Sequence, residues 1–270
     1  MKKSLKIIAL LLAISLLWLA YTPDMPRQLL VQKYSNSKSE FVSNDQGLRV
    51  HYRDQGVAVN RAIVLLHGNS NSLQTFEPLV KALISNYRVI SLDFPGHGLT
   101  GAHPQNDYGY KGLSEALALV VNHLSLKDYT LLGHSMGGWV AWRYAVDNPD
   151  QLNALMLMSA SGMPPRKNDP IEQDGLGFKL LRSPIGPLLS GYTLPRSVIA
   201  KSTEKSMVQQ DMVTQELIDT YWELLREPDN RRALAYRAKQ GRELEKADLA
   251  KSIKLPTLLI WGEQDTFVYP

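Results

Sequence analysis

The stretch that decides the fold is Tyr129-Thr130-Leu131-Leu132-Gly133-His134-Ser135-Met136-Gly137-Gly138. Its first half is a short apolar run of strand length, and a helical pattern runs from Met136 to Val146. A serine between glycines two residues away on either side, at a strand-to-helix junction, has the pattern of a nucleophile elbow. The chain turns so sharply there that bulky side chains at 133 or 137 would collide. The turn lifts Ser135 Oγ above the carboxyl ends of the strands, where open α/β sheets bind ligands. The helix N-terminus behind it favours developing negative charge. The bland alternative is a glycine-rich turn with an incidental serine, and the strand-then-helix context argues against it.

The same alternation continues outward on both sides. Phe41-Val42, the turn Asn44-Asp45-Gln46-Gly47, and Leu48 to Tyr52 read as a hairpin. Ala62 to Leu66 is apolar throughout, as in a strand covered on both faces. A helical pattern over 73–84 and a strand over 88–92 come next, and the loop Asp93-Phe94-Pro95-Gly96-His97-Gly98 closes that strand. A helix over 113–124, the strand Tyr129 to Leu132, and strands over 155–158 and 258–261 complete the frame. Strands alternating with helices predict an α/β fold, a doubly wound and mostly parallel sheet. Between Gly162 and Lys254 no strand is legible. Leu217, Ile218, Tyr221, Trp222 and Leu225 share one helical face, and a second helical tract starts at Arg231. This stretch, about 162–254, reads as a helical lid inserted between two core strands.

The 270 residues contain no cysteine, which excludes disulfides, thiolate metal sites and a cysteine nucleophile. The formal net charge is +4, and Lys2, Lys3 and Lys6 carry three of those charges. The remainder is nearly neutral, with no footprint for nucleic acid. Those lysines precede the run Ile7 to Tyr21, apolar apart from Ser15. A positive segment followed by an apolar one is an export or anchoring signal. As a helix the run spans ~22 Å against ~30 Å of hydrocarbon, which favours a cleaved signal. The bulky Trp18, three residues before a cut after Ala20, favours an uncleaved anchor. Residues 1–24 are therefore read as signal peptide or membrane anchor, 25–40 as a polar linker, and 41–270 as the α/β domain. Either reading places that domain on the exported side of a membrane, tethered or secreted.

From about Phe41 onward the chain resembles the α/β-hydrolase fold family. The resemblance rests on His67-Gly68-Asn69 after a strand, Asp93-x-x-Gly96-x-Gly98, the Ser135 elbow, and Trp261-Gly262-Glu263-Gln264-Asp265. The branch it is similar to carries a helical lid and includes esterases, lipases and carbon–carbon bond hydrolases. The resemblance implies Ser135 as nucleophile, the backbone N–H groups of Met136 and Asn69 as oxyanion donors, and Asp265 as the triad acid. It implies no cofactor and no metal. Haloalkane dehalogenases also resemble the chain at His67-Gly68-Asn69. Their chemistry and epoxide hydrolysis need a carboxylate nucleophile, because attack by Ser135 would leave an inert ether.

In that family the base histidine follows the acid, and here no histidine follows Asp265. His51, His67, His97, His103, His123 and His134 all precede it. His67 reads as a turn residue. His134 is expected to point away from Oγ, and His97 is a weak candidate on a loop facing the site. The expectation is that the natural chain continues beyond residue 270. The alternative is a non-catalytic member. A chain lacking one triad member is expected to lose ~10⁴–10⁶ in kcat. The substrate expected is a small apolar carboxylic ester, with carbon–carbon bond hydrolysis as the alternative. Pro164, Pro165, Phe178, Leu180, Leu181, Ile185 and Leu188 would line an acyl or alcohol pocket or simply pack the lid. Nothing in the sequence sets the oligomeric state.

Overall fold

A computed structural model describes residue 15 and residues 19–59, 61–164, 176–240 and 245–269; of the side chains at 176 and 178 nothing is described. In chain order its elements are α1 (Arg27–Tyr34), β1 (Ser39–Ser43), β2 (Arg49–Gln55), β3 (Ala62–Leu66), α2 (Glu77–Leu83), β4 (Arg88–Leu92), α3 (Tyr110–His123), β5 (Tyr129–His134), α4 (Met136–Asp147) and β6 (Leu152–Met158). The lid region then supplies α5 (Leu176–Arg182), α6 (Gly186–Tyr192), α7 (Arg196–Ser206), α8 (Gln215–Leu225), α9 (Asn230–Gln240) and α10 (Ala247–Ala250), before β7 (Thr257–Ile260).

The seven strands form one sheet in the order β1-β2-β4-β3-β5-β6-β7. β1 with β2 and β2 with β4 pair antiparallel, and every other pair is parallel. The apolar run of β3 follows from its place in the middle. Val64 and Leu66 enter one core cluster with residues of α3 and α4. Ile63 and Leu65 enter another on the opposite face, against Phe76 and Val80 of the α2 region. A strand covered on both sides has no polar face, so alternation disappears from its sequence.

Register then gathers the loops. Leu66 lies opposite both Leu92 and Gly133, His134 opposite Met158, and Met158 opposite Ile260. The residues following these strand ends therefore emerge along one edge of the sheet. The lid sits on that edge. Ala233 of α9 is packed against Gly96, and Asn230 Nδ2 donates to Gly98 O at 3.1 Å. Tyr108 and Tyr236 stack. At the far edge β7 exposes Leu258, Leu259 and Ile260.

Residues 25–40, expected as a linker, are instead docked structure. Pro26 starts α1, where its missing N–H costs nothing, and Leu30 is fully buried with Leu99 and Leu224. Arg27 Nε meets the buried Glu227 at 2.5 Å, and Lys33 and Tyr34 both donate to Glu223. The polar look of the segment comes from side chains that pair with the lid rather than with water. Most of the apolar run Ile7 to Tyr21 lies outside the described residues. Among the described residues no helix is long and apolar enough to cross a membrane.

Candidate active site

Ser135 sits at φ 52°, ψ −116°, between the end of β5 and the start of α4. Positive φ is uncommon for a residue with a Cβ and is stored strain. The surrounding contacts fix it. Ser135 N donates to Met158 O at 3.0 Å, while Ser135 O accepts from Trp139 N and Ser161 N. A Cβ at Gly137 would overlap the carbonyl oxygens of Leu66 and His67, and one at Gly133 would overlap Gly137 O. The helix start is thus pressed onto the end of β3, an approach only glycine permits.

The Gly68-Asn69 loop abuts the serine. A Cβ on Gly68 would lie 3.2 Å from Ser135 Cβ and 3.0 Å from His134 Nδ1. Asn69 follows at the exposed rim. The first helical hydrogen bond of α4 is Trp139 N to Ser135 O, so the N–H groups of Met136 to Gly138 precede the ladder, as at any helix start. His67 holds this loop in place. Its Nδ1 meets Gly68 O at 2.7 Å and its Nε2 accepts from Phe94 N at 3.0 Å. Burial lowers its pKa, so both ring nitrogens serve the turn in the neutral form.

Asp265 lies on the loop after β7, part-exposed. Its Oδ1 accepts from the backbone N–H of Phe267 and Val268 at 2.9 Å each. Burial pushes its pKa upward, but these donors, the Ser159 hydroxyl and the nearby His134 outweigh it, so the carboxyl titrates below its ordinary range. Ser159 was not singled out from the sequence. It follows β6 at the same sheet edge, with φ 42°, and Ser159 N donates to Ile260 O. Its position one residue past a strand end was the available signal.

The six histidines are placed as follows. His51 Nδ1 contacts Asp93 Oδ2 at 2.7 Å in the interior. His103 Nδ1 accepts from the N–H of Gln105 and Asp107. His123 is exposed at the end of α3, beside Tyr52. His97 does face the lid, but Arg237 Nη1 lies 2.9 Å from its Nε2 and Pro95 O lies 3.0 Å from its Nδ1. Burial and then the Arg237 cation drive its pKa well below the usual imidazole value. Burial brings Arg237 itself down to about 10. Both ring nitrogens of His97 are thus engaged, by Pro95 O and by Arg237. His134 Nδ1 is buried with no hydrogen-bond partner among the described residues. Burial lowers its pKa against the opposing charge of Asp265. None of the six connects Ser135 to Asp265 by hydrogen bonds.

The apolar lid residues divide. Leu180, Ile185 and Leu188 are exposed, as is Pro164, and Leu181 is half-buried, so the exposed ones neither line a pocket nor pack the lid here. Pro165 and the Phe178 side chain lie outside the described residues. The residues that approach the Gly68-Asn69 loop come instead from α8. Tyr221, Leu224 and Leu225 face Ser70, Asn71, Ser72, His97 and Gly98 across a small cavity of about 10 Å³.

The model of the alpha/beta hydrolase fold family matches residues 61–270. The chain belongs to this family. An uncharacterized hydrolase, YugF, of Bacillus subtilis (strain 168) is 28% identical over 224 residues, 82% of this chain and 79% of that protein. A 2-hydroxy-6-oxononadienedioate/2-hydroxy-6-oxononatrienedioate hydrolase of Burkholderia vietnamiensis is 31% identical over 236 residues, 84% of this chain and 78% of its own length. The solved Cif epoxide hydrolase of Acinetobacter nosocomialis superposes with TM-score 0.72 at 20% identity, covering 90% of this chain and 83% of that one. At that identity the structural likeness concerns the fold alone. The hydrolase-fold assignment covers the elbow, the Gly68-Asn69 loop and the Asp265 loop together.

Proposed function

We propose that this chain is a serine hydrolase that cleaves carboxylic esters at Ser135. Ser135 Oγ would attack the carbonyl, the alcohol would leave, and water would release the acid from an acyl-enzyme. The observation that carries the reading is the strained Ser135 on its elbow, with the Gly68-Asn69 loop against it. Attack there would put the oxyanion toward the backbone N–H groups of Met136 and Asn69, each such donor being worth about 3 kcal/mol of barrier. Asp265, held ionised, is the proposed acid. No histidine among the described residues bridges Ser135 and Asp265 by hydrogen bonds, and the base is left unassigned. The proposed site of action is a membrane surface on the exported side.

A second reading is favoured by the Burkholderia relative, whose name describes hydrolysis of an oxo-dienedioate. The same serine and acid would serve carbon–carbon bond cleavage. Steady-state assays separate the two. Short p-nitrophenyl esters turned over in the wild type and not in Ser135→Ala support the ester reading. Turnover of a vinylogous diketone alone would replace it. Activity unchanged in Ser135→Ala would remove both.

A further inference from the structure

Several exposed apolar side chains of the lid fall on one helix, α6, while others, Val198, Val208 and Met212, lie elsewhere on it. On α6, Gly186 and Ser190 are buried, and the helix packs against α9. The opposite face carries Ile185, Leu188 and Tyr192, spaced three and four residues apart, so they stand in one row. Leu188 is 69% exposed and Ile185 54%. Tyr192 ends the row against Tyr21, ring centroids 5.2 Å apart. Tyr21 is the last residue of the apolar N-terminal run, and Leu19 beside it is 75% exposed. On the neighbouring α5, Leu180 is also exposed, with Lys179 and Arg182 in that helix's last turn.

The N-terminal chain reaches this ridge without slack. Thr22 N donates to Tyr192 O at 3.0 Å, and Leu194 N donates to Thr22 Oγ1 at 3.2 Å. Arg231, 2% exposed, donates to Thr22 O at 2.7 Å and pairs with Asp24. Whatever receives residues 7–21 is therefore held against α6.

We propose that this ridge, Leu19, Tyr21, Leu180, Ile185, Leu188 and Tyr192, is a docking surface for a lipid bilayer, so that the lid rests on the headgroups. The occupant is argued from what arrives there. If the apolar run preceded by Lys2, Lys3 and Lys6 is kept and enters lipid, its attachment at Thr22 holds the adjacent protein surface at the membrane. An apolar row rimmed by cations suits the interfacial layer of an anionic leaflet. Since α8 and α9 roof the Ser135 edge and α6 lies on α9, substrate would reach the site from the bilayer side. The docking claim stands apart from the chemistry at Ser135.

The cysteine-free chain allows a clean test. The full chain bearing Leu188→Cys, and separately Asn122→Cys at the opposite end of the sheet, is labelled with an environment-sensitive fluorophore. Each is reconstituted in phosphatidylcholine–phosphatidylserine vesicles containing doxyl-labelled lipid. Severalfold stronger quenching at 188 than at 122 is expected, at protein-to-lipid ratios where the chain is dilute. Equal quenching at the two positions would overturn the proposal. So would a dry probe at 188 accompanied by 188-to-188 crosslinking, which would show a second copy on the ridge.

Discussion

The proposed nucleophile and the proposed acid stand on opposite kinds of ground. Ser135 rises from the middle of the sheet, where Leu65, Leu66 and Leu131 are fully buried and the elbow is wedged between backbone carbonyls. Asp265 hangs from β7, the edge strand, whose Leu259 is 62% exposed. At the centre the backbone leaves one geometry for the serine. At the edge the acid depends on two N–H donors from its own loop and on Ser159. A hydrolase can thus carry a rigid nucleophile next to an acid whose position rests on few contacts.

The comparison can be broken by paired substitutions. The largest effect is expected from Gly137→Val, whose side chain meets the backbone of β3 and cannot be relieved by a rotamer change. A loss of about 3 kcal/mol or more in urea unfolding is expected. Gly262→Val, at the edge, meets nothing nearer than Asp265 Cβ at 3.9 Å, and should stay within about 0.5 kcal/mol. Equal losses would show that the edge is as constrained as the centre. Next comes Leu65→Ala, expected to cost about 2–5 kcal/mol against under ~0.5 for Leu259→Ala.

Acid titration sharpens the same contrast. Asp93 is buried, and burial alone would raise its pKa. Hydrogen bonding to His51, electrostatic attraction toward the His51 and His67 rings, and the N–H of Leu73 outweigh this and lower it. A carboxyl with a lowered folded pKa stabilises above its unfolded value of about 3.9, and that stability fades as pH falls through the folded pKa. Thermal midpoints of the wild type should therefore fall below about pH 4. In Asp93→Asn that acid limb should flatten and the neutral-pH midpoint should drop. Asp265 is also lowered but part-exposed, so Asp265→Asn should alter the limb much less. The smallest stability effect is that of Asp265→Asn at neutral pH, within about 1 kcal/mol. Ester turnover should nevertheless fall in that variant. Unchanged turnover would move the acid elsewhere.

Much of this architecture is legible from residues alone, for reasons specific to each element. Ala62–Leu66 and Arg88–Leu92 are read to the residue, because strands buried on both faces are bounded by abrupt polarity changes. The elbow is legible because its glycines answer a steric demand that no other residue meets. Boundaries slip where the polarity change is gradual, as at the start of α3, at Tyr110 rather than Leu113. The docked α1 was hidden because Arg27, Lys33 and Tyr34 find partners about 190 to 200 residues away, which no local pattern records. The outward row on α6 answers to neither pocket lining nor lid packing, because apolar residues in a lid look alike in sequence whether they face inward or outward. His97 is withdrawn from the site by burial, by Pro95 O and by Arg237, 140 residues distant and beyond the reach of any local pattern.

The most direct measurement is fluorophosphonate labelling of the full chain, with and without added imidazole, followed by peptide mapping. The account predicts a single adduct on Ser135, absent in Ser135→Ala. It also predicts faster formation with imidazole, because among the described residues no hydrogen bond links a histidine to Ser135 Oγ. An adduct that persists in Ser135→Ala, maps to another residue, or forms under neither condition would contradict it.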